Sequence, residues 1–121
     1  MNEKPSEMIA KFLNFLETTK QEYESAYAAV GAEDNKVQTF LHDMEFAKNR
    51  DERNRIATKL QNSRKTRRKA KDKVQLYENT YNFFTSKQNQ SLIKALRNLQ
   101  NEQNTMERYL FGKREFKNRV D

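Results

Sequence analysis

Between Gly31 and Gly112 the chain contains no glycine or proline. Inside that stretch Ile56, Leu60, Ser63, Arg67, Ala70, Val74, Tyr77, Tyr81 and Phe84 follow one another at alternating spacings of four and three. Such a series shares one side of an α-helix, because residues three and four apart stack along its axis, whereas neighbours on a strand alternate faces. Asn49 and Glu52 have the form of a capping box at its start, and Thr85-Ser86 is the first breaker, so a helix is predicted over 50–85, about 54 Å long. The heptad spacing asks for a second helix along that side.

The remaining segments obey the same rule. Ser6 is a candidate N-cap for a helix over 6–30, whose expected inner face is Ile9, Phe12, Leu16, Thr19, Tyr23, Tyr27 and Val30, with Gly31 as its stop. Asp34 is a candidate cap for a short helix over 35–47 carrying Val37, Phe40, Leu41 and Met44 on one side. Thr85 and Gln88 offer a second capping box for a helix over 87–111, with Leu92, Leu96, Leu99, Gln103, Met106 and Leu110 as its seam and Gly112 as its end. A basic tail, 113–121, follows. Matching seams on consecutive helices joined by a tight turn predict an all-α fold: a single-domain helical bundle of about four helices, built on a long antiparallel coiled-coil hairpin.

Composition decides whether such a bundle can form. Val, Ile, Leu and Phe make up only 24 of 121 residues, close to the composition of disordered chains. Against that, Ala, Glu, Lys, Leu and Arg account for 54, a share typical of long helices. The absence of cysteine excludes disulfides and thiolate metal sites. No apolar run approaches the ~20 residues of a membrane span, and the opening MNEKPSEMIAKF lacks a signal-peptide core, so a cytoplasmic protein is expected.

Charge is distributed unevenly. Lys59 to Lys73 holds eight basic residues, Lys59, Arg64, Lys65, Arg67, Arg68, Lys69, Lys71 and Lys73, against Asp72 alone. Its net +7 equals that of the whole chain. These eight are the candidate binding residues, for nucleic acid or for an acidic protein. Arg64, Arg68 and Lys71 fall on one stripe beside the seam, Lys65 and Lys69 lie behind it, and Lys59 and Lys73 flank its other edge. With charge all round the helix, the wide apolar face needed to lie on a membrane is missing. The competing reading is internal: residues 1–48 carry five basic and nine acidic residues and are able to neutralise the run within the fold. Ser63 and Arg67, where a coiled coil ordinarily has leucine, are the informative positions: if they face a packed seam the run is mainly architectural, and if the seam gapes there it is the binding site.

No catalytic constellation is legible. One histidine and two isolated glycines fall short of metal, dinucleotide and P-loop motifs, so neither cofactor nor metal is expected. His42, Asp43 and Glu45 form the one polar cluster of note, and two ligands on one turn make an incomplete metal site; a solvated helix face accounts for them.

From residue 41 onward the chain resembles a group of small uncharacterised proteins encoded by phages and prophages of Gram-positive bacteria. The shared elements are Leu41, His42, Asp43 and Glu45; Lys59, Leu60 and Gln61; Arg67-Arg68 with Lys71-Asp72; a leucine-spaced last helix; and a terminal Arg114, Phe116, Arg119 and Val120. Asn118 stands where that group usually has proline, and residues 1–40 have no counterpart in it. The resemblance implies a phage accessory role and carries over no functional residue. Three readings follow: a non-enzymatic helical protein contacting nucleic acid through its basic helix; an inhibitor or adaptor docking on a host enzyme; and a self-associating coiled coil, for example a homodimer.

Overall fold

The computed structural model describes residues 3–112; the basic tail at 113–121, with Phe116 and Val120, lies outside them. The described residues form α1 (Pro5–Glu45), α2 (Arg50–Thr85), a single 3-10 turn at Lys87–Asn89, and α3 (Gln90–Phe111), with no strand among them. The fold is all-α. Two compact units divide it: Thr19–Asn82, and a second joining Met1–Thr18 to Phe83–Asp121.

Three α-helices stand where about four are expected, because the segments 6–30 and 35–47 are one continuous helix. Glycine in a helix interior costs about 1 kcal/mol relative to alanine. That is too little to stop a helix whose buried face continues beyond it: Ala26, Val30, Glu33, Val37, Phe40 and Met44 keep the four-three alternation, buried or half-buried, through Gly31. Gly31 is therefore no C-cap, and Asp34 no N-cap. On the same helix Phe12 and Tyr27 are exposed, and Leu13 and Ala26 are buried in their stead.

At the start of α1, Pro5 occupies the first helical position, where a missing N–H costs nothing. Ser6 is already helical and buried, and its amide (2.9 Å) and hydroxyl both donate to the Glu107 carboxylate of α3. The start of α2 follows expectation. The Glu52 amide donates to Asn49 Oδ1 at 2.8 Å, and the Glu52 carboxylate reaches back to the Lys48 amide at 3.3 Å.

In the unit Thr19–Asn82 the seam of α2 is as the spacing predicts: Ile56, Ser63 and Ala70 are buried, and Leu60, Arg67, Val74, Tyr77 and Tyr81 half-buried. Its partner is α1. Contacts descend along α2 as they ascend along α1, from Glu22 with Lys73 to Glu33 with Ser63. Tyr23 stacks on Tyr81 with ring centroids 4.0 Å apart.

In the other unit Leu13, Leu16, Phe84 and Ile93 form a small buried cluster, flanked by Ile9 and Leu96. Ser6 with Glu107 and Glu17 with Arg97, the latter at 3.2 Å, set α1 and α3 in opposite directions. The expected Thr85–Gln88 cap is displaced: Thr85 is the last residue of α2, and Ser86 precedes the 3-10 turn. Asn89 Nδ2 donates to the Phe83 carbonyl (3.0 Å) and Gln90 Nε2 to those of Phe84 (2.9 Å) and Ser86 (3.1 Å), so side-chain amides satisfy the orphan carbonyls that end α2. Of the expected seam of α3, Leu96 and Gln103 are half-buried as predicted, while Leu92, Leu99, Met106 and Leu110 are exposed and Ile93, Gln100 and Glu107, each one residue on from Leu92, Leu99 and Met106, pack instead. The Gly112 amide closes α3 on the Arg108 carbonyl at 2.9 Å, as the sequence predicts for its end.

Candidate nucleic-acid interface

The eight basic residues of α2 do not form one surface. Arg67 is half-buried on the seam, its Nε donating to Asp34 Oδ1 at 2.5 Å. Lys73 donates to Glu22 Oε2 at 2.9 Å, and that carboxylate raises the ammonium pKa above its ordinary value. One turn before Arg67, Ser63, buried, donates its hydroxyl to Glu33 Oε2 at 2.5 Å. This hydrogen bond is the main cause holding the Glu33 carboxyl below the usual range; burial opposes it, and Lys36 at 3.2 Å assists. The polar centre of the α2 seam is thus closed by three carboxylates of α1, so at Ser63, Arg67 and Lys73 the run is architectural, and a binding surface is left to the exposed cations beside the seam.

The other six basic residues, Lys59, Arg64, Lys65, Arg68, Lys69 and Lys71, are exposed and pair with no acid among the described residues. Arg64, Arg68 and Lys71 lie within about a 60° arc of the helix. Together with Arg67, Asp72 and Gln75 they line a shallow groove. Lys65 and Lys69 project from the back of α2. Lys59 stands apart, in a depression whose walls include the carboxylates of Asp43 and Glu52. A groove with three exposed cations and a fourth braced from behind has the chemistry to hold phosphate oxygens, because arginine offers paired donors and stays charged in water.

His42 is exposed and lies against Phe46, ring centroids 4.9 Å apart, and no group of three potential ligands able to hold a metal occurs among the described residues. No helix among them is long and apolar enough to cross a membrane. Spacing alone does not reveal that Asp34 and Glu22 single out Arg67 and Lys73, because those partners lie more than 30 residues away. A second apolar line on α1, Met8, Phe12 and Phe15, is legible beside Ile9, Leu13 and Leu16, and periodicity by itself does not say which of the two packs.

No family model, no curated protein and no solved structure matches the chain.

Proposed function

We propose that the protein is a non-enzymatic helical binding protein that contacts the phosphate backbone of nucleic acid through Arg64, Arg68 and Lys71, with Lys65 and Lys69 contributing field. One observation carries this reading. The carboxylates of α1 that reach the run are engaged, Asp34 with Arg67, Glu22 with Lys73 and Glu33 with Ser63, so within the groove's lining Asp72 alone stands against Arg64, Arg68 and Lys71. Arg64 and Arg68 repel each other at i,i+4 by a few tenths of a kcal/mol, a cost that a polyanion relieves. Binding of this kind is driven by counterion release and reads charge density rather than sequence. In this reading the packing of α2 against α1 holds the groove rigid. The resemblance of residues 41–121 to phage and prophage proteins supports an accessory role in a bacterial cytoplasm.

The test is a salt titration of binding to duplex DNA and to single-stranded RNA. Affinity falls steeply with salt, and the triple replacement of Arg64, Arg68 and Lys71 by Gln flattens the duplex slope by about 0.9 for each phosphate that is no longer neutralised. Unchanged affinity and slope refute the assignment. Retention of a protein partner after nuclease treatment assigns the groove to an acidic protein surface instead.

A further inference from the structure

Outside the basic groove, the feature with no role in the proposed function is an apolar surface on the unit that joins the start of α1 to α3. Met8, Phe12 and Phe15 on α1 and Leu92, Leu99 and Met106 on α3 are each 43–52 % exposed, and Phe12 and Phe15 touch, with centroids 6.4 Å apart. Both sets recur at spacings of three, four or seven. Each set is rotated from the packed line of its own helix by roughly 90–130° in the same sense. Because α1 and α3 run in opposite directions, equal senses of rotation bring both stripes to the same side of the pair. The result is one continuous face.

We infer that this face takes a second copy of the chain, two α1–α3 pairs closing face to face as a four-helix bundle. Three observations select a copy over other occupants. The first is area: six side chains about half exposed present roughly 500 Å² per copy, so about 1,000 Å² between two copies before the rims are counted, close to the floor for a specific interface. The second is charge. The described residues of this unit carry six basic and five acidic groups, so two copies meet without net repulsion, unlike two basic grooves.

The third is complementarity at the edges. Ser6 with Glu107 and Glu17 with Arg97 fix the register, which places Lys11 level with Glu102. Both are exposed, each at the outer edge of its helix's stripe; Lys11 is paired with Glu3 of its own chain, a solvated ion pair that the partner's Glu102 joins. A two-fold axis parallel to the helices sets α1 of one copy over α3 of the other at unchanged height, so Lys11 meets the partner's Glu102 twice. Such an isologous arrangement is the commonest symmetry of soluble oligomers.

Sedimentation of the intact chain in 0.5 M salt, which silences phosphate contacts, tests this independently of nucleic-acid binding. Twice the 14.5 kDa chain mass is the expected result; a monomer up to ~100 µM overturns the inference. Leu99→Glu with Met106→Glu weakens association at least 100-fold while helical circular dichroism is retained, since both positions are exposed in the single chain. A dimer unaffected by this pair overturns the assignment of the face. Lys11→Glu alone weakens association about two- to fivefold, the scale of an exposed pair. Adding Glu102→Lys in the same chain restores it, and failure of that rescue refutes the edge pairing. Binding of the intact chain to phosphatidylcholine vesicles, lost in the Leu99→Glu, Met106→Glu variant, with no self-association, assigns the face to a lipid surface and also overturns the inference.

Discussion

Ser63, at the centre of α2 where a coiled coil ordinarily carries leucine, donates its hydroxyl to Glu33 of α1 at 2.5 Å, and both residues are buried. Glu107 is held similarly by the hydroxyl and amide of Ser6, which push its carboxyl below the usual range against the effect of burial. Both groups bind protons less readily in the folded chain than in the unfolded one. Their contribution is therefore present above the ordinary glutamate value of 4.5 and is lost as pH falls through the lowered folded values. Thermal melts from pH 7 down to pH 2 will show a decline that sets in below that value. Ser63→Ala, which removes the main cause of the Glu33 shift, will lower stability at pH 7 and make the acid decline shallower.

Arg67 and Arg68 are neighbours in sequence in different settings, Arg67 paired with Asp34 and Arg68 exposed. Arg67→Gln breaks the pair with Asp34 and will lower stability by no more than ~1 kcal/mol, the scale of a solvated ion pair, while leaving the salt slope of nucleic-acid binding nearly unchanged. Arg68→Gln will leave stability within about 0.5 kcal/mol and reduce the slope. Paired denaturant and binding titrations separate the two, and equal effects on binding contradict the division of the basic run.

Gly31 sits inside α1 with nothing within 4 Å of where a Cβ would stand. Gly31→Ala fills empty space and narrows the unfolded ensemble, so it will stabilise the protein by about 0.5–1 kcal/mol in urea unfolding.

Thr19 is 1 % exposed, and its hydroxyl has no hydrogen-bond partner among the described residues. An unmet buried hydroxyl costs on the order of 1 kcal/mol or more. Thr19→Val keeps the shape, removes that cost, and will raise the unfolding midpoint; a fall indicates that the hydroxyl is satisfied in solution.

Asn49 caps α2 through its Oδ1. Asn49→Ala will cost about 1 kcal/mol, and Asn49→Asp will retain most of the stability, as the positive end of the helix dipole favours the charge.

Where a single apolar line recurs at heptad spacing and the other faces are mostly polar, periodicity identifies the packed face, and α2 is that case: each residue from Ile56 to Phe84 predicted to lie on its seam is buried or half-buried. Two helices carry a second apolar line, and there the pattern is degenerate. On α3 the leucine-spaced line is the more conspicuous although Ile93 and Glu107 pack, because a buried glutamate signals nothing until Ser6 is known to meet it. Gly31 and Asp34 imitate a helix end for a related reason. Local stop and start signals weigh about 1 kcal/mol each, less than a continuous buried face from Ala26 to Met44. In the candidate site the exposed stripe Arg64, Arg68 and Lys71 follows from helical geometry alone, whereas the withdrawal of Arg67 and Lys73 depends on carboxylates distant in sequence.

The turn that ends α2 and begins α3 is fastened by the neutral amides of Asn89 and Gln90 on backbone carbonyls. Dissolved ions screen charges and leave such bonds largely untouched. This corner of the backbone is accordingly insulated from ionic strength, and salt added to silence the groove leaves the direction in which α3 sets out from the turn unaltered.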